Sequence, residues 1–333
     1  MKKAAITAVL FMAVSLTAQS GPVWPQPPEK ARIAYVKSIS NAQDLGIKKG
    51  FFAKLWDFIA GSEEKKLIKP FGVHHDGSRL YVTDIGARAV FIFDEKRKSL
   101  KSIEHSTRFR FLSPIDVVTD RDRNIYVTDS TLNYVYKFNR NGKFIKKFGN
   151  DILKRATAIS YNEKKNLLVV TDTLAGDLKI FSTEGKFVGF IGKPGTKEGE
   201  FNRPTFTAYD DEGYLYVSDT LNHRVEIFDP EGKFYKSFGK LGNTVGTFSN
   251  PRGIAVDKNR NIYVVDTLFH SVQIFNENGD ILLAFGTYGK NSGEFAVPED
   301  ITITKDGKIY ITDSYNMRIQ VFQILDYVQG GKK

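Results

Sequence analysis

Asp116, Glu299 and Asp300 are the carboxylates of this sequence best suited to acid–base work or to holding a hard cation, since calcium-type ions take several oxygen ligands at once. Arg252 and nearby lysines can pair with the same carboxylates, so cation binding and internal neutralisation are both open. The chain has five His and no Cys. Disulfides, thiolate metal sites and a cysteine nucleophile are therefore excluded. His74 and His75 are adjacent, and neighbours on a regular strand point to opposite faces, so this pair cannot chelate one ion. No Ser, His and Asp can be placed together at one site, and no catalytic or metal-ligating residue is assigned. Three glycine-rich stretches, beginning at Gly192, Gly239 and Gly286, superficially resemble phosphate loops. A phosphate loop opens a helix whose first amides face the anion. These stretches lead into another strand, and each carries a Phe that can plug a joint.

A repeat positions these groups. Six segments share one ending, from YVTDIGARAVFIF at Tyr81 to YITDSYNMRIQVF at Tyr310. Their aspartates, Asp84, Asp129, Asp172, Asp219, Asp266 and Asp313, are separated by 45, 43, 47, 47 and 47 residues. Each unit parses into four short strands rich in Val, Ile, Tyr and Phe. Turns such as Asn141-Gly142 and Asn278-Gly279 carry the chemistry of tight hairpins. Apolar residues on both faces of the pleat require cover on both faces, which sheets stacked around a ring provide. The expected fold is all-β, a six-bladed β-propeller of four-stranded antiparallel blades. The sixth unit stops after its third strand. Residues 32–39, RIAYVKSI, read as the missing outer strand, so the N-terminal segment closes the last blade and removes the open sheet edges.

The pattern P-x-G-I-A-V-D followed by I-Y-V-x-D-T, fullest in residues 251–275 and 204–228, resembles the NHL repeat. The resemblance spans about residues 70–322. It implies a six-bladed ring whose usual ligand side carries the links from second to third strand and from each blade to the next. Members serve as binding scaffolds, as RNA-binding modules and as a peptide-amidating lyase. The fold does not choose among them. The lyase's zinc histidines have no counterparts in the leading positions of five blades. Those positions, expected at the channel mouth, hold Phe71, Ile115 with Asp116, Thr157, Thr205, Arg252, and Glu299 with Asp300. The repeated Asp suits a scaffold role, bonding turn amides in every blade. Residues that vary between equivalent turns are better recognition candidates. These are Arg88, His223, Arg224, His270 and Arg318, which join Arg252, Glu299, Asp300 and Asp116 as the expected ligand-binding face.

Residues 41–69 depart from the repeat. Phe52, Leu55, Trp56 and Ile59 fall at helical spacing, so a short amphipathic helix is expected before blade one. It would pack on its own ring, or use Phe52, Trp56 and Ile59 against a partner or a membrane surface. Lys2 and Lys3 followed by an apolar run over 4–18 read as a signal peptide over 1–20, because the run is shorter than the roughly 20 residues of a membrane-spanning helix. The expected organisation is a proline-rich linker over 21–30, the propeller over 31–328 with the insertion at 41–69, and a tail over 329–333. Export to the periplasm or beyond follows, with no transmembrane span in the mature chain. Basic residues exceed acidic ones, 48 against 38, but are spread over outer strands, which argues against nucleic acid. The function expected is a non-catalytic exported scaffold recruiting an envelope protein or a small ligand. The alternative is a calcium-dependent propeller hydrolase or lactonase using the acidic residues at the channel mouth; no other cofactor is expected.

Overall fold

The computed structural model describes residues 21–46 and 65–326. The signal-peptide segment, the helical core of the insertion with Phe52, Trp56 and Ile59, and the C-terminal tail lie outside the described residues. Six antiparallel sheets make up the described chain. Blade one runs Pro70–His75, Leu80–Asp84, Ala89–Asp94 and Ser99–Ile103 from the axis outward. Blades two to five repeat this order, and their inner strands are Pro114–Thr119, Ala156–Asn162, Pro204–Tyr209 and Pro251–Val256.

The sixth blade is composite. Pro298–Ile303, Lys308–Asp313 and Arg318–Ile324 come from the C-terminal end, and Ile33–Ile39 pairs antiparallel with Arg318–Ile324, setting Tyr35 opposite Phe322 and Lys37 opposite Val321. Within the proline-rich stretch a two-residue strand, Val23–Trp24, pairs with Ile33 and Ala34, so this blade has five strands. Apolar burial explains the addition, because the Trp24 ring packs 5.6 Å from Phe285 and 5.8 Å from Phe322.

Second and third strands are largely buried on both faces, as apolar residues on both sides of the pleat require. The buried residues fall into six clusters, five of them joining two adjacent blades, while the one with Phe71, Ile115, Ala158, Phe206 and Ile254 also runs around the axis. Phe201, Phe248 and Phe295 of the glycine-rich loops are buried at such joints, as plugs. The insertion leaves and returns at the outside of blade one. Leu45 and Leu67 are buried between blades six and one, Lys98 Nζ donates to the Leu45 carbonyl, and Lys65 pairs with Glu104 at 2.6 Å.

Ring closure makes Ile39, buried between blades six and one, a sensitive position. Ile39→Ala should cost about 2–5 kcal/mol in urea unfolding, in a single transition because every blade is packed between two neighbours. Unchanged stability would mean that the N-terminal strand does not hold the ring.

Candidate functional site

Each inner strand carries a bulge after its first residue, where the pairing register slips, as between Pro114 and Val117 or Pro298 and Ile301. The third residue of the strand sits at this bulge. Around the ring it is Gly72, Asp116, Ala158, Phe206, Gly253 and Asp300. Asp116 and Asp300 use this place in the same way. Asp116 accepts from the amide of Val117 at 2.7 Å and from that of Ile159 in blade three at 2.8 Å. Asp300 accepts from Ile301 and, in blade one, from Val73, both at 2.8 Å. The preceding blade must then be glycine. A Cβ on Gly72 would stand 2.5 Å from the Ile115 carbonyl oxygen, and one on Gly253 would stand 2.6 Å from the Asp300 Cα. Burial raises both carboxyls above the usual range, and the charge of Asp116 raises Asp300 further, so the pair resists double ionisation.

The expectation that Asp116, Glu299 and Asp300 gather at the mouth is corrected here. Asp116 and Asp300 lie inside the channel, whereas Glu299 lies at its rim, bound to Arg252 at 2.5 Å. Phe71 stacks on Phe206 at 6.2 Å, and the Arg252 guanidinium sits 6.0 Å from the Phe71 ring. A cavity of about 210 Å³ lies beneath, lined by Asp116, Asp300, Ser160, Thr207, Thr302 and His74 among others. Its wall residues run toward the ends of the inner strands, so the cavity belongs to the face opposite the one expected to bind. Burial lowers the His74 imidazole to about 4, against the opposing charge of Asp76, and its Nε2 bonds the Thr119 hydroxyl at 2.9 Å. Among the described residues no group of three or more acidic or histidine side chains is spaced to hold a metal ion.

The variable turn residues separate into two kinds. Arg88 is exposed, in the left-handed region at φ 51°. His223 and His270 take the same conformation and are half-buried. The His270 Nδ1 accepts the Val297 amide at 3.2 Å, and its ring lies 4.9 Å from Tyr288. Arg224 and Arg318 differ from the expected rim residues, because both are held by the scaffold. Arg224 binds Asp219 at 3.0 Å and the carbonyls of Thr196, Lys197 and Glu200. Arg318 binds Asp313 at 2.8 Å and the carbonyls of Asn291 and Glu294. The turns also show what residue type alone did not bring forward. Two places after the repeated Asp, Leu174, Leu221, Leu268 and Tyr315 are 48–66% exposed. The sequence signal was D-T-L in three blades and D-S-Y in a fourth.

The model of the NHL repeat matches residues 295–322, and a model described as a 6-bladed beta-propeller matches residues 207–272. The chain is a six-bladed β-propeller with an NHL repeat at residues 295–322. No curated protein sequence matches it. Among solved structures, a protein of unknown function from Bacteroides thetaiotaomicron is similar at TM-score 0.63 and 16% identity, over 88% of this chain and 75% of that one. An auxiliary nutrient binding protein from the same organism aligns at TM-score 0.61 and 13% identity, covering 77% and 69%. A virginiamycin B lyase from Staphylococcus aureus aligns at TM-score 0.56 and 12% identity, covering 78% and 96%. Such identities show a shared fold alone.

The repeated Asp of this propeller is a hydrogen-bond hub. Asp129 accepts the amides of Leu112, Ser113, Thr131 and Leu132. Seven residues after it, Gln273 and Gln320 clamp the loop that leads into their own blade. Each Oε1 accepts a glycine amide, and each Nε2 donates to a loop carbonyl. Glu226 holds this place in blade four. Its Oε1 accepts from Gly199 at 3.2 Å and pairs with Arg224 at 2.8 Å, but its buried Oε2 has no partner. Burial pushes its carboxyl up to about 7, with Arg224 opposing and Asp219 reinforcing the rise.

A raised carboxyl favours the folded state in its protonated form. This contribution is complete below about pH 4.5 and is lost as pH rises through about 7. Glu226→Gln should remove that pH dependence and stabilise the protein at pH 8 by on the order of 1 kcal/mol. Thermal melts across pH 4–8 check this, and a parallel fall in both proteins would refute it.

Proposed function

We propose that this propeller is a non-catalytic binding scaffold of the cell envelope, docking a protein on the face that carries the repeated-Asp turns. The observation that supports this most directly is the ring of exposed Leu174, Leu221, Leu268 and Tyr315 around a rim centred on the Arg252–Glu299 pair. Leu241, Val245 and Tyr288 of the interblade loops, also exposed, extend it outward. Apolar groups repeated around an axis, with a charged pair at the centre, suit the flat footprint of a protein better than a small molecule held in a pocket. Exposed Arg88 adds a polar contact to this rim. Asp116 and Asp300 are occupied by backbone amides and Glu299 by Arg252, which argues against the calcium-dependent hydrolase. The similar auxiliary nutrient binding protein is in keeping with a binding role.

Export is proposed from Lys2, Lys3 and the apolar run that follows. No described helix is long and apolar enough to cross a membrane. Phe52, Trp56 and Ile59 are proposed as a second contact, to a partner or a membrane surface, beside blade one where the insertion is anchored.

The test is affinity capture of the mature protein from its envelope, with metal analysis of the same sample. A single partner should be retained, and the double variant Leu221→Asp, Leu268→Asp should lose at least about tenfold of it with an unchanged melting temperature. Stoichiometric calcium, with an ester hydrolysis abolished by chelation, would overturn the proposal.

A further inference from the structure

A groove of about 910 Å³ lies on the opposite face, at the seam of blades six and one. Its cause is a local failure of the repeat. In four blades the second-strand tyrosine donates its hydroxyl to the aspartate opening the first hairpin. Tyr81 bonds Asp76 and Tyr126 bonds Asp120 at 2.9 Å, Tyr216 bonds Asp210 at 3.0 Å, and Tyr263 bonds Asp257 at 3.1 Å. At two seams an arginine from the next blade reaches that aspartate, Arg123 to Asp76 at 3.8 Å and Arg260 to Asp210 at 3.3 Å. These side chains fill the seams.

At the seam of blades six and one both parts are missing. The aspartate is replaced by Thr304. Its Oγ1 accepts the Lys308 amide at 3.0 Å, as one carboxylate oxygen of Asp120 or Asp257 accepts Asn124 or Asn261. The second oxygen, the one that takes the tyrosine hydroxyl, has no counterpart. Tyr310 lines the groove without that carboxylate. On the other side, the hairpin of blade one is a residue shorter, Gly77 and Ser78 standing where an arginine would be. Arg79 turns instead to Asp94 of its own blade at 3.1 Å.

What remains is a set of donors. His75 lies against the Tyr310 ring, 5.3 Å between centroids at 16°, and its Nδ1 accepts the Gly77 amide at 3.0 Å. Burial holds the imidazole neutral, so its one proton is on Nε2. The groove's carboxylates have cationic partners: Glu95 with Lys37 at 3.3 Å, Asp306 with Lys308 at 3.4 Å, and Asp76 with Arg123. Lys98 donates to the Leu45 carbonyl and has no ion pair among the described residues. Lys96 and Lys305 also line the groove. Ile303 and the His75 ring supply an apolar wall.

We infer that this groove binds a small organic carboxylate, whose acid group takes the place of the missing aspartate between Tyr310, His75 and the lysines. The body of the ligand lies on His75 and Ile303. The site is separate from the protein-docking face and does not rest on it.

Benzoate is the probe, with benzamide as its uncharged control, and binding is followed by NMR titration of the whole protein. Benzoate should saturate and perturb Tyr310, His75 and Thr304, with benzamide at least about tenfold weaker. Thr304→Asp rebuilds the carboxylate in place and should abolish benzoate binding without lowering the melting temperature. Lys305→Glu should weaken binding by about tenfold, and it serves as the test if Thr304→Asp does not fold. Absence of benzoate binding, or binding indifferent to these substitutions, overturns the inference.

Discussion

Six inner strands converge on one axis, and each brings a sheet edge whose amides and carbonyls have no strand beyond them. Unpaired backbone groups buried in that way are costly. The propeller meets this constraint with side chains that reach between blades. Thr83 bonds the Ile115 carbonyl at 2.7 Å, Thr312 bonds that of Phe71 at 2.8 Å, and Thr220 and Thr267 bond those of Pro251 and Pro298. The threonines flanking the repeated Asp in these blades are therefore a clasp around the axis. Asp116 and Asp300 belong to the same solution, since each spends one oxygen on its own strand and the other on the next blade.

That assignment changes the meaning of the acidic residues. A carboxylate with backbone amides on both oxygens, buried beside a second one, is a poor general base and a poor first ligand for an incoming ion. Its geometry is explained by the axis without any substrate. Arg224 and Arg318 follow the same logic one layer out, where they tie loop carbonyls to the repeated Asp. Charge in this propeller is concentrated where backbone needs partners, so charged residue type alone is weak guidance to its contacts.

The architecture was legible because repeats report it many times over. Spacing of the aspartates, hairpin glycines and the truncated sixth unit pointed to six blades and to closure of the last one by the N-terminal strand. The site was less legible. Whether Asp116 faces the mouth or the channel depends on a bulge between Pro114 and Val117, a one-residue slip that strand alternation does not encode. The saturation of Arg224 depends on carbonyls of residues 196–200, more than twenty positions away. Exposed Leu174, Leu221 and Leu268 were visible as letters, but in a repeat an apolar letter reads as core until its direction is known. The fifth strand at Val23–Trp24 was hidden by prolines, which normally mark a linker.

Symmetry gives these departures their weight. A position shared by most blades is fixed by packing common to all, so its loss in one blade has to be met by something else or leave a gap. At the bulge, where Asp116 and Asp300 reach the next blade, blade four carries Phe206, which stacks on Phe71. Where blades five and six carry Gln, blade four carries Glu226, whose carboxyl burial raises. At the seam of blades six and one nothing on the chain's described residues takes the place of the aspartate and the arginine, and the gap stays open. This is also the seam where the two ends of the polypeptide are joined, so the ring has to be held there by other means. Ile39, Leu45 and Leu67 pack against Phe91, Phe93 and Tyr310 to do so. Stability at that joint comes from apolar burial and strand pairing, which leaves the polar hairpin side free of a structural duty that every other tyrosine–aspartate pair performs.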